Sequence, residues 1–324
     1  NMPFLSREQL AHFKEEGYLL VRGMLDVEEV IQPIIDEYHG VLDKLAHELY
    51  AAGHIESTYD DLPFGKRLTQ IVVDSGEVHA QYFDFSLPQN GIEADTPFWA
   101  GPAVFRCLSN PALLDVAESI VGPEIWSNPV QHVRIKPPEH LVPKDHNGQA
   151  LVTATSWHQD SGVVLPEADT SNVLTVWFPL NEATLENGCL QIMPNSHRQG
   201  THTHCPGHPG GLRVPEQVMD MDSAMPVPMQ PGDVLFLTRH TIHGSLSNHS
   251  DDVRWSFDLR YNPIGQTTGR DIFPGFIARS KAQPENVLSD PVVWEKIWRD
   301  TRNRLALEEQ VVFNRWSADA AVCA

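Results

Sequence analysis

The sequence predicts a mainly β domain with flanking helices, built as a barrel or sandwich of short strands. Two observations predict it. From about residue 125, short β-like runs alternate with turn signals, over 130–136, 151–158, 173–180, 188–193, 233–238, 242–247 and 253–261. Capped helical segments lie on either side of that stretch. The chain has 324 residues, 41% of them hydrophobic, which suffices for one ordered core. The expected organisation is a single domain over 1–324, with a helical layer at 1–125, a β core at about 125–265 and a C-terminal helical extension at 266–324.

Ser6-Arg7-Glu8-Gln9 reads as a capping box and Gly17 as a stop, with one short helix between them. Residues 18–21 (YLLV) read as a strand. Asp26-Val27-Glu28-Glu29 is a second capping signal, opening a helix towards His47. Residues 53–105 scatter Gly, Pro and Asp and specify no element. Asn110-Pro111 starts a helix that ends at Gly122. The stretch 197–231, rich in Gly, Pro, His and Met, is expected to form a long loop or lid. Asp290-Pro291 opens a last helix through Arg304.

Composition excludes several function classes. The 43 acidic and 23 basic side chains give a formal net charge of −20, which repels nucleic acid and anionic membranes. No apolar run approaches the ~20 residues of a membrane span, and no apolar signal segment opens the chain. Cys107, Cys189, Cys205 and Cys323 have no CxxC spacing and suggest no disulfide framework, so a reducing, cytoplasmic setting is expected. There is no GxGxxG, P-loop or serine nucleophile elbow. Sixteen histidines direct attention to a metal.

His158 and Asp160 are two residues apart on a β-like run, so both side chains point to one face. His243 opens a later run. Two histidines and a carboxylate form the facial triad of non-haem Fe(II) oxygenases, and the absence of thiolate partners disfavours structural zinc. If runs 242–247 and 253–261 pair about the turn-rich Asn248-His249-Ser250-Asp251-Asp252, then Ser245 faces Arg254 and His243 faces Ser256. A guanidinium just beyond the metal suits the far carboxylate of a keto-diacid co-substrate. Along 254–261, Trp255, Phe257, Leu259 and Tyr261 share one face, expected to pack outward. Arg254, Ser256, Asp258 and Arg260 share the other, expected to line an interior. In 173–180 the inward residues are Val173, Thr175 and Trp177, and Trp177 forms a candidate wall of the co-substrate site. The bland alternative for Arg254, Asp258 and Arg260 is a buried ion network.

Together these pieces resemble the phytanoyl-CoA dioxygenase family. The matching residues are Lys136-Pro137-Pro138, Trp157-His158-Gln159-Asp160, Val176-Trp177-Phe178-Pro179-Leu180, Asn187-Gly188-Cys189-Leu190, Met193-Pro194-Asn195-Ser196-His197, Pro231-Gly232-Asp233-Val234-Leu235-Phe236 and His243-Gly244-Ser245, followed by Asn248 and Arg254. The resemblance spans about residues 10–265. It implies a double-stranded β-helix, a jelly-roll or cupin-like barrel. It implies Fe(II), held by His158, Asp160 and His243, with 2-oxoglutarate and O2 as co-substrates and a small organic molecule as substrate. Arg254 and Ser245 would bind the far carboxylate of 2-oxoglutarate. Trp177 and His132 match positions lining that pocket, and Gln159 is expected to touch the co-substrate. Asn195 departs from the glycine usual in that segment. The presence of Asp160, where related halogenases carry a small residue, implies an oxygenase.

Other candidates are weaker. His197, His202, His204, Cys205 and His208 match no metal spacing and suit a polar lid. Arg106, Arg134, Arg239 and Arg260 are possible substrate anchors. The rival classes are a non-catalytic cupin-like binding protein and a non-oxidative metal enzyme, an isomerase or hydrolase, on the same barrel. The sequence specifies neither the substrate nor an oligomeric state.

Overall fold

The computed structural model describes residues 5–207, 211–309 and 314–324. Its helices are α1 (Arg7–Glu16), α2 (Gln32–Ala51), α3 (Phe64–Ser75), α4 (Ala80–Phe83), α5 (Pro102–Leu108), α6 (Pro111–Val121) and α7 (Pro291–Leu305). The strands are β1 (Tyr18–Val21), β2 (Ile125–Lys136), β3 (Thr155–His158), β4 (Leu174–Pro179), β5 (Leu190–Ile192), β6 (Met225–Val227), β7 (Val234–Thr238), β8 (His243–Ser245), β9 (Arg254–Pro263) and β10 (Phe276–Arg279). The expected capping box closes α1: Ser6 Oγ accepts from the Gln9 amide and Gln9 returns the bond. Gly17 ends that helix in the left-handed region, where its lack of Cβ removes the steric penalty. Asn110 and Asp290 cap α6 and α7 as expected. Asp26 opens a short π-helical turn that runs on into α2.

Two antiparallel sheets face one another. The larger has the order β1-β7-β4-β9-β2-β10 and the smaller β3-β8-β5-β6. This is the expected double-stranded β-helix with flanking helices. The outer face of the larger sheet carries Trp255, Phe257, Leu259 and Tyr261, buried against the helices as alternation requires. Phe257 lies between Tyr38, Phe85 and Phe178, with ring centroids 4.9–6.1 Å away. Truncating such a fully buried ring costs roughly 3–5 kcal/mol. Tyr261 also donates its hydroxyl proton to the Leu108 carbonyl at the end of α5. Between the sheets, Trp177, Leu235 and Leu237 meet Leu190, Ile192 and Val227, closing one part of the barrel with apolar packing. The remaining interior is polar.

The structure corrects four expectations. Runs 242–247 and 253–261 do not form a hairpin: β8 pairs with β3 and β5, whereas β9 pairs with β4 and β2. The connection crosses between sheets and is pinned by Asn248, whose amide donates to the Lys136 and Asp252 carbonyls. Residues 53–105 contain α3, α4 and most of α5 rather than irregular chain. In α3 the buried Leu68, Ile71 and Val72 follow helical spacing without a side-chain cap to announce it. The 197–231 stretch is mostly loop, but it includes β6. The larger sheet takes its edge strand β10 from beyond residue 265.

Cys205 and Cys323, 118 residues apart, form a disulfide that the sequence did not suggest. Cys107 and Cys189 are free and buried. The bond fastens the C-terminal tail, where the Trp316 indole donates to the Gly162 carbonyl and stacks on His204. Arg315 pairs bidentately with Asp169. Among the described residues no helix is long and apolar enough to cross a membrane.

Candidate metal centre and co-substrate pocket

His158 on β3 and His243 on β8 are direct register partners, and their rings lie 4.3 Å apart. Close pairing of these strands requires Gly244, where a Cβ would sit 2.7 Å from the Thr155 carbonyl oxygen. Each imidazole is oriented by its own strand. His158 Nδ1 lies 2.7 Å from the Ser156 carbonyl and His243 Nδ1 lies 3.0 Å from the Thr241 carbonyl. A carbonyl can only accept, so both Nδ1 atoms carry the proton and both Nε2 atoms present a lone pair. Asp160 sits in the tight turn after β3. Its Oδ1 lies 3.7 Å from His158 Nε2 and 3.5 Å from His243 Nε2.

The carboxylate is held from the other side. Asp160 Oδ2 accepts from Arg260 Nε at 3.0 Å and from the Thr175 hydroxyl. Oδ1 is buried with no hydrogen-bond partner, and the three ligand atoms lie within 4.8 Å of one another. Burial, followed by the neighbouring His243, lowers the His158 pKa to about 3, so its ring is neutral at physiological pH. Burial alone would raise Asp160, but Arg260, His243 and His158 outweigh it and hold the carboxyl well below its usual range. Two imidazole nitrogens and one charged oxygen, converging on a common point, fit a divalent iron.

Beyond the triad, Arg254 and Lys136 face each other in register on β9 and β2. Arg254 is 1% exposed and Lys136 is 5% exposed. Arg254 Nη1 donates to Ser256 Oγ at 2.6 Å, and the guanidinium lies 5.6 Å from the Trp177 ring centre. Its Nε has no hydrogen-bond partner among the described residues. Burial and then Arg134 lower its pKa to about 10. Lys136 Nζ donates to Ser245 Oγ at 2.5 Å, to Thr155 Oγ1 at 3.0 Å and to the Thr153 carbonyl at 2.8 Å. Burial, then Arg254 and Arg134, push this ammonium well below its usual pKa. Neither cation has a carboxylate within ion-pairing distance among the described residues. Two adjacent buried cations are costly unless an anion joins them.

Arg260 is not a substrate anchor. It bridges Asp160 and Asp258, and Asp258 in turn accepts from Arg134 Nε at 3.0 Å. The buried ion network is therefore real for Arg260 and Asp258, while Arg254 stands outside it. Ser245 and Trp177 line the pocket with Arg254.

Two expected pocket residues are placed elsewhere. Gln159 is fully buried, and its amide donates to the Gly200 and His240 carbonyls and accepts from the His202 amide. These bonds fasten the 200–204 loop behind the ligands instead of reaching the pocket. His132 lies on the inner face but is paired with Asp84 at 2.8 Å, lining a neighbouring cavity. Sequence reasoning gave Lys136 no role at the site: it closed the β-like run 130–136 and entered only as part of the matching segment Lys136-Pro137-Pro138. The signal available was the alternation of His132, Arg134 and Lys136 along one run. His197 and His204 are engaged with backbone groups, and His197, His202, His204 and Cys205 form no metal cluster. His208 lies outside the described residues.

The model of the family described as phytanoyl-CoA dioxygenase (PhyH) matches residues 13–256. The chain belongs to the phytanoyl-CoA dioxygenase family. It is 24% identical over 276 residues to phytanoyl-CoA dioxygenase domain-containing protein 1 of Bos taurus, covering 79% of this chain and 89% of that protein. It is 25% identical over 304 residues to 1-deoxypentalenic acid 11-beta-hydroxylase of Streptomyces arenae, covering 87% and 90%. In fold it is similar to the non-heme monooxygenase ThoJ, with a TM-score of 0.57 and 16% identity over 92% of this chain and 98% of that one. The phytanoyl-CoA dioxygenase family is one of 2-oxoglutarate-dependent non-haem iron oxygenases, and this chain is such an enzyme. Iron, 2-oxoglutarate and O2 are its cofactor and co-substrates.

Proposed function

We propose that His158, Asp160 and His243 hold the iron, that Arg254, Lys136 and Ser245 receive the far carboxylate of 2-oxoglutarate, and that the enzyme hydroxylates or otherwise oxidises a small organic molecule. The observation that carries this reading is the pair of buried, acid-free cations on the inner face next to three converging ligand atoms. When bound, iron and 2-oxoglutarate supply the oxidising power, and the co-substrate leaves as succinate and CO2.

The protein's part is positional. Ser156 and Thr241 fix the histidine tautomers through their carbonyls. Arg260 and Thr175 hold Asp160 Oδ2, so that Oδ1 alone points inward. The pocket between the triad and Arg254 is lined by His158, Thr175, Trp177, His243 and Ser245. A cupin-like protein without turnover has no use for this cation pair.

The test is anaerobic titration of the protein with Fe(II) and then 2-oxoglutarate, followed by succinate formation in air. An iron-dependent visible absorption and slow succinate release are expected. Their absence would refute the reading. The Cys205–Cys323 bond weighs against the reducing, cytoplasmic setting that the cysteine spacing suggested.

A further inference from the structure

A second cavity of about 340 Å³ opens beside the metal pocket, and the two share Arg134 and Thr155 in their walls. One side is apolar, built from Leu68 on α3, Phe83 on α4, Val78 between them, and Leu151 and Val152 ahead of β3. The opposite side is the inner face of β2. Arg134 there commits only its Nε, to Asp258, and its side chain remains 44% exposed. Its terminal nitrogens make no hydrogen bond among the described residues. The acid within the cavity does not compete for them, because Asp84 is taken by His132 and by the Val133 amide.

We propose that this cavity is the substrate site and that it takes an amphipathic organic acid, with the apolar body against Leu68, Val78, Phe83, Leu151 and Val152 and the anionic group at the Arg134 guanidinium. The inference rests on the adjoining triad being the oxidising centre, and it adds the substrate class. The volume lies at the small end of ligand cavities, which suits a compact body. A guanidinium with two free nitrogens grips a carboxylate bidentately, fixing direction as well as position. Arg134 and Thr155 both stand on the edge shared with the metal pocket, so the anchored anionic end and the carbons next to it lie nearest the triad, while the apolar body is held away from it. The chain's net charge of −20 does not oppose this, because charges beyond about 8–10 Å are screened at physiological salt.

The test uses anaerobic protein loaded with Fe(II) and 2-oxoglutarate, and calorimetric titration with octanoate, octanamide and octanoyl-CoA. Wild type is expected to bind octanoate at least tenfold more tightly than octanamide. That gap should close in Arg134→Met and partly reopen in Arg134→Lys. Leu151 is 50% exposed, so Leu151→Glu should fold and should weaken octanoate more than octanamide by charge repulsion. Equal binding of acid and amide, binding of neither, or binding of the thioester alone overturns the proposal. If the iron and 2-oxoglutarate absorption fails to form in wild type, the broader reading fails instead, and the two failures are told apart.

Discussion

Lys136 and Arg254 stand opposite one another on neighbouring antiparallel strands, both buried, with no carboxylate in ion-pairing distance of either among the described residues. A folded protein rarely tolerates that juxtaposition without an anionic ligand.

Replacing either cation should therefore separate stability from function. Arg254→Met and Lys136→Met are expected to raise the 2-oxoglutarate KM about ten- to a hundredfold, in line with a lost charge-assisted contact worth roughly 1.5–3 kcal/mol. Without co-substrate, their Tm should equal or exceed that of wild type, because an unpaired buried charge has been removed. With Fe(II) present throughout, adding 2-oxoglutarate should raise the wild-type Tm more than that of the variants at the same concentration. A large Tm loss in the unliganded variants would show that the pair is structural.

The metal carboxylate depends on its supports. Arg260→Met removes one of the two donors to Asp160 Oδ2, leaving Thr175, and leaves Asp258 one partner short. Weaker iron binding, on the order of 10–100-fold, is expected from the loss of such an outer partner. Dialysis against Fe(II) with metal quantification reads this directly. Unchanged iron affinity would show that Arg260 does not support the metal carboxylate.

Acid should loosen the clasp behind the metal. Burial lowers the His204 pKa to about 4, and the neutral ring accepts a hydrogen bond at Nε2 from the Gln159 backbone N–H. Between pH 6.5 and 4 the unfolded chain binds more protons at this residue than the folded one, so its contribution is present above pH 6.5 and fades as pH falls through that window. The wild type should lose on the order of 2–3 kcal/mol over those pH units from this residue. His204→Gln should show a flatter dependence of stability on pH. Denaturant melts at stepped pH check it, and parallel curves for the two proteins would contradict it.

The Cys205–Cys323 bond closes a loop of 118 residues. Cys323→Ser should lower stability by about 2–4 kcal/mol, from the freed entropy of the unfolded chain. Thiol labelling of the denatured, unreduced protein should find Cys107 and Cys189 only. Labelling at four sites would show that the bond does not form.

The sequence disclosed which faces point inward, because strand alternation is a local property. Trp255, Phe257, Leu259 and Tyr261 packed outward, and Arg254, Ser256, Asp258 and Arg260 turned inward, as their spacing required. It did not disclose which strands pair. His243 and Arg254 converge across two sheets rather than along one hairpin, yet either arrangement points them at the same interior. Contacts between residues distant in sequence were the least legible. Nothing local to Cys205 announces Cys323, and nothing local to Gln159 shows that its amide fastens the 200–204 loop. Helix α3 was missed because Pro63 precedes it where a capping side chain would have marked its start.

The central claim is that three side chains bind one iron. Anaerobic titration with Fe(II) in the presence of 2-oxoglutarate, on wild type, His158→Ala and His243→Ala, addresses it most directly. One iron per chain and a visible absorption band are expected in wild type, with both lost in each variant. Iron bound equally well by the variants, or not bound by the wild type, would contradict it.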